Sequence, residues 1–168
     1  MRGVWIAGGA AVALFAGLAV FLAPLEPGVL ALQFAFTPRA FGRVVHAWPA
    51  DHLARYRAHL PVDMLLLAAY ATFGYLLATR SRLFAGAPRW WRRAGTWALP
   101  LAAVCDAVEN TLHWWLTEVP RFGVPLPYAA AGAAATAKWL LVFGWAILVL
   151  GSLVRHGEGR RAGPQRGG

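Results

Sequence analysis

Four long apolar runs constrain this chain more than anything else in it: Val4–Ala23, Pro61–Thr79, Thr96–Leu116 and Tyr128–Val154. A hydrocarbon core of about 30 Å is crossed by roughly 20 helical residues, and each run is about that long. In lipid every backbone N–H and C=O must find a partner within the protein, which a helix supplies by itself. The runs therefore predict an all-α fold, a four-helix transmembrane bundle forming one membrane domain over residues 1–154. Its spans are expected at about 4–23, 61–79, 96–116 and 128–154. Only 14% of residues are charged, against roughly 25% in soluble domains. The first run exceeds the 7–15 residues of a signal-peptide core, and Pro24 disfavours cleavage after Ala23, so it reads as a retained anchor. The Gly- and Arg-rich stretch 155–168 is expected to be a disordered, basic cytoplasmic tail.

The net charge of +9 does not point to nucleic acid. No basic block marks a separate domain, no recognition motif is present, and most arginines flank the apolar runs. With the N-terminus inside, ten arginines fall on the cytoplasmic side: Arg2, five from Arg80 to Arg93, and four in the tail. Five (Arg39, Arg43, Arg55, Arg57, Arg121) fall outside. That bias predicts both termini in the cytoplasm. Trp5, Trp90, Trp91 and Trp97 then mark the inner interface, and Trp48, Trp114 and Trp115 the outer one. The single cysteine, Cys105, allows no internal disulfide.

One or two short amphipathic helices are expected in the first outer loop. Thr37-Pro38 is a helix cap followed by proline at the first helical position. Ala40, Phe41, Val44, Val45 and Trp48 then recur at helical spacing, opposite Arg39, Arg43 and His46. This helix would lie on the outer membrane surface or over the bundle. Asp51 reads as a second cap, opening a segment that ends at Pro61. Gly9, Ala13 and Gly17 form a small-residue stripe on the first span, and Gly132 with Thr136 begins another on the fourth. Such stripes allow close helix approach.

Ionisable groups inside a bilayer are costly and mark functional candidates. Asp106, Glu109, Asn110 and His113 follow the i, i+3, i+4, i+7 rule and share one face of the third span, which Thr117 continues. Asp106 lies ten residues from the outer end of its span, and so does Lys138, the one lysine. At 1.5 Å per residue both sit about 15 Å deep, which predicts that they pair. Nearer the outer surface, Glu109 and His113 face His59 and Asp63, and Tyr70 extends the Asp63 face inward. Two carboxylates and two imidazoles could hold a divalent metal or run acid–base chemistry. The metal is the weaker reading, since an acid two residues after Pro61 is also what a helix start favours.

The Leu32-Gln33-Phe34-Ala35-Phe36-Thr37 stretch, the Asp63 to Tyr70 pair and Asp106-x-x-Glu109-Asn110 resemble a family of uncharacterised bacterial four-helix integral membrane proteins. The resemblance covers most of residues 30–116 and places the chain in a bacterial cytoplasmic (inner) membrane. It implies no activity and no cofactor. The leading expectation is binding of a small ligand or lipid in a polar intramembrane pocket. Its lining would be Asp63, Tyr70, Asp106, Glu109, Asn110, His113 and Lys138, with His59, Asp63, Glu109 and His113 as metal candidates. A proton-coupled transporter, a membrane enzyme using His and carboxylate groups, and an assembly partner with a polar packing face are the alternatives. Beyond the lipid bilayer no partner and no oligomeric state can be read.

Overall fold

The computed structural model describes residues 1–119 and 121–161, with side chains as far as Arg155. Among them the regular structure is entirely helical. The elements are α1 (Arg2–Leu22), α2 (Val29–Gln33), α3 (Pro38–Ala47), α4 (Ala50–Arg80), α5 (Arg89–Leu116) and α6 (Pro125–Arg161). Three of them, α1, α4 and α6, are long and apolar enough to cross a membrane. At 28 residues α5 is long enough, but its polar face and its N-terminal arginines make it less apolar.

The four long helices pack in chain order, α1 on α4, α4 on α5 and α5 on α6. Each runs antiparallel to the next. Gly3 at the start of α1 meets Leu76 and Arg80 at the end of α4, whereas Phe21 at its other end lies under Arg55. Trp91 near the start of α5 donates to the carbonyl of Leu148 and to Ser152 near the end of α6. Met1 and the end of α6 therefore lie with the Arg80–Arg93 connection, and α2 and α3 lie at the opposite end.

Outside these contacts much apolar surface is left bare. Trp5, Ile6, Val12, Phe15 and Val20 of α1 are exposed, as are Leu140, Phe143, Ile147 and Leu150 of α6. Apolar surface on this scale marks a membrane protein, whose outer faces meet lipid rather than water.

Helix α3 forms as its sequence suggests. Thr37 Oγ1 accepts the Ala40 N–H at 3.2 Å, and Pro38 opens the helix. Its apolar face, Phe41, Val44 and Val45, is buried against Tyr56 and Leu60 of α4, Leu116 of α5 and Tyr128 of α6. Of the two positions expected for α3, the structure takes the one over the helix ends. The preceding stretch is bound in as well. Leu32 and Ala35 enter the same core, Gln33 accepts from Trp139 Nε1 at 3.1 Å, and Phe36 lies against Gly132, where a Cβ would come within 2.8 Å of its ring.

Two expectations need correcting. The segment from Asp51 to Pro61 is not a separate element. Helix α4 runs unbroken through Pro61, and Asp51 sits in its first turn. Proline costs a helix one hydrogen bond and a clash, but both flanks are held by packing, Tyr56 and Leu60 in the α3 core and Leu66 and Leu67 further along. The Gly9-Ala13-Gly17 stripe is not the packed face of α1. Val4, Ala11 and Leu18 are buried instead, and a Cβ on Gly9 or Gly17 would meet nothing within 4 Å. The close approach is made one residue earlier, at Gly8, where a Cβ would lie 2.9 Å from the Phe73 ring, and the large side chains of α1 are left to lipid, where burial against a neighbour gives no hydrophobic gain. At the far end α6 stays helical to Arg161, and residues 162–168 of the expected tail lie outside the described residues.

Candidate functional site

The polar stripe of α5 faces inward over its whole length. Asp106, Glu109, Asn110, His113 and Thr117 are all buried. Helix α4 answers it with Tyr56, Asp63 and Tyr70, seven residues apart and so on one face. Three hydrogen-bonded rungs join the antiparallel pair. Tyr70 Oη donates to Asp106 Oδ2 at 3.2 Å. Asn110 Nδ2 donates to Asp63 Oδ2 at 2.7 Å. Tyr56 Oη and His113 Nδ1 share a hydrogen bond of 2.7 Å.

Helix α6 contributes Lys138. Its ammonium donates to Asp106 Oδ1 at 2.8 Å, the pair expected from their matched depths. It also stands 2.7 Å from Glu109 Oε2. At that distance the second contact is a close, charge-assisted ion pair. One lysine thus bridges two carboxylates a helical turn apart. Both are taken out of water, with Glu109 only 1% exposed, and a buried ion pair needs such close geometry to offset desolvation.

Above Glu109 the column turns towards the α3 cap. The Glu109 and His113 side chains are 3.9 Å apart at their closest charged atoms, too far for a hydrogen bond. Phe41 of α3 packs on His113 with ring centroids 5.5 Å apart, and on Tyr128 at 5.1 Å. His113 Nε2 is buried and has no hydrogen-bond partner among the described residues. Thr117 ends the stripe, accepting from Arg57, whose guanidinium also donates to the Trp114 carbonyl and lies over its ring.

Comparison with protein families, with curated proteins and with solved structures finds no match.

Of the residues singled out beforehand, Asp63, Tyr70, Asp106, Glu109, Asn110, His113 and Lys138 come together on three helices. His59 does not join them. Its Nδ1 bonds the Tyr56 carbonyl one turn back in the same helix. Among the described residues no group of three His, Cys, Asp or Glu side chains is placed to hold a metal ion. Tyr56 is the member that sequence reasoning missed. It lies seven residues before Asp63, as Tyr70 lies seven after, but Pro61 between them reads as a boundary.

The Tyr56 rung gives a direct test. Tyr56→Phe leaves a buried His113 nitrogen without its partner, which should destabilise the protein by about 1–3 kcal/mol. Thermal unfolding of the detergent-purified protein measures this. A wild-type midpoint in the variant would show that the rung carries no energy.

Proposed function

We propose that this chain is a four-span membrane protein of the proton-coupled carrier class, with Asp63, Asp106, Glu109 and Lys138 as its exchange centre. Its termini would lie in the cytoplasm of a bacterium and its body in the inner membrane. Supporting that arrangement, the arginine-rich Arg80–Arg93 connection lies at the same end as Met1, and α5 hides its polar face between α4 and α6.

The observation that carries the functional reading is a charge count. Two carboxyl groups, Asp106 and Glu109, are ion-paired to one ammonium, and a third, the half-buried Asp63, is held by Asn110 on the same face of α5. Gluing helices together needs no more than a balanced pair. Full ionisation would leave two uncompensated negative charges in apolar surroundings, at several kcal/mol each. A bound proton relieves that cost, and a site that must hold protons can also release them when its surroundings change. Carboxylates and histidines stacked through a membrane are the usual parts of proton relays.

Two measurements test this on the reconstituted full chain. At neutral pH, infrared spectra should show the C=O stretch of a protonated carboxyl, lost or displaced in Asp106→Asn or Glu109→Gln. In vesicles loaded with a pH-sensitive dye, an external pH jump should be followed faster than in empty vesicles, and Glu109→Gln should remove the difference. Absence of the protonated band sinks the charge argument. The band without proton movement leaves a polar packing face as the whole role.

A second reading, a pocket for a small polar ligand, is favoured by His113 Nε2. A buried ring nitrogen without a partner is the kind of group a ligand or an ordered water completes.

A further inference from the structure

The α3 end of the molecule carries five arginines, and they divide into two kinds. Arg55 donates to the Phe21 carbonyl at 3.0 Å and lies over the Phe21 ring. Arg57 is committed to Trp114 and Thr117, and Arg121 lies over Trp115. Arg39 and Arg43 do none of this. Both are exposed on the outer face of α3, and among the described residues no carboxylate is within ion-pair distance of either.

Arg39, Arg43 and His46 are spaced i, i+4, i+7 and so point the same way. They line an open groove whose remaining walls are Gly42, Ala47 and Phe122. The groove is shaped by an absent side chain: a Cβ on Gly42 would stand 3.0 Å from the Phe122 ring. One wall is therefore cationic and the other apolar. Leu30 of α2, Phe34 just after it and Phe122 itself are exposed at this same end, so apolar anchors share it with the basic strip.

We propose that this groove binds the headgroup phosphate of an anionic phospholipid, with Arg39 and Arg43 as its ligands and the acyl chains continuing over Phe122. Arginine suits the task because its planar fork meets two phosphate oxygens at once. The mixed lining favours a lipid over a free anion, since an anion has no use for an apolar wall. This site is separate from the carboxyl–lysine centre, and either proposal stands if the other fails.

The test is native mass spectrometry of the detergent-purified full chain titrated with phosphatidylglycerol. Arg39→Gln/Arg43→Gln should weaken the tightest binding step about 30-fold, about 2 kcal/mol at 1.4 kcal/mol per decade. The pair Arg82→Gln/Arg92→Gln removes the same charge from the other end and should leave that step within about threefold of wild type. Glycerol phosphate, the headgroup without chains, should fail to compete at concentrations where the lipid saturates. Equal losses in the two arginine pairs would overturn the proposal, and so would glycerol phosphate competing as well as the lipid does.

Discussion

Lys138→Met should be the most damaging single substitution in the polar core, costing about 3–5 kcal/mol by analogy with broken buried ion pairs in soluble proteins. The reason is the bridge. Lys138 stands 2.8 Å from Asp106 and 2.7 Å from Glu109, so its loss strands two carboxylates at once. Asp106→Asn should cost less, because the ammonium keeps Glu109. The double variant Asp106→Asn/Lys138→Met should recover only part of the loss, since Glu109 stays buried without its cation. Adding Glu109→Gln should bring stability back to within about 1–2 kcal/mol of wild type, as replacing a whole buried ionic set is far milder than breaking it. Reversible unfolding in mixed micelles would rank the four proteins. A triple variant as unstable as Lys138→Met would mean that the lysine acts through packing and not through its charge.

The second large effect is expected where α4 and α5 come closest. A Cβ on Gly74 would lie 2.7 Å from Leu99 Cδ1 and 2.8 Å from its Cβ. The Leu99 Cβ cannot swing aside as a side-chain tip can, so the two helices would have to separate. Gly74→Val should destabilise by about 3 kcal/mol, the upper part of the range for overpacked cores. It should also weaken the nearby Tyr70–Asp106 rung, because Tyr70 is one turn from Gly74 on the same helix. The double variant Gly74→Val/Leu99→Ala should be more stable than Gly74→Val alone, since the truncated leucine makes room for the added methyls. Strict additivity of the two singles would argue that Gly74 and Leu99 do not share this contact.

The deep part of the site was legible because helical geometry is rigid. Periodicity put Asp106, Glu109, Asn110 and His113 on one face, and a constant rise per residue matched Asp106 to Lys138 across two helices. Neither inference depends on side-chain detail. The second contact of Lys138, to Glu109, was not foreseen, because depth matching compares single positions while a long flexible side chain can reach two. Tyr56 was hidden by Pro61, whose local preference for ending a helix was outweighed by packing on both flanks. The small-residue stripe on α1 misled for a related reason. The close approach falls to another glycine, Gly8 against Phe73, and spacing alone does not say which small residues meet a neighbour. His59 was a metal candidate only through its i, i+4 spacing to Asp63. Its backbone contact to Tyr56 is a choice of side-chain torsion that spacing cannot reveal.

The distribution of partners around α5 bears on how the protein is made. Its polar side chains are satisfied by α4, which precedes it in the chain, and by Lys138 of α6, which follows. In the proposed four-span arrangement α5 would emerge and insert ahead of α6, so its polar face would first be met by α4 alone. At that stage Tyr70 and Asn110 can quiet Asp106 and Asp63 through hydrogen bonds, but Glu109 has no cation. The α4–α5 hairpin would then be an incomplete unit, finished only when α6 docks and Lys138 meets both carboxylates. Lys138 would then close the core as well as belong to the site, because a chain without α6 would leave Glu109 buried without its cation.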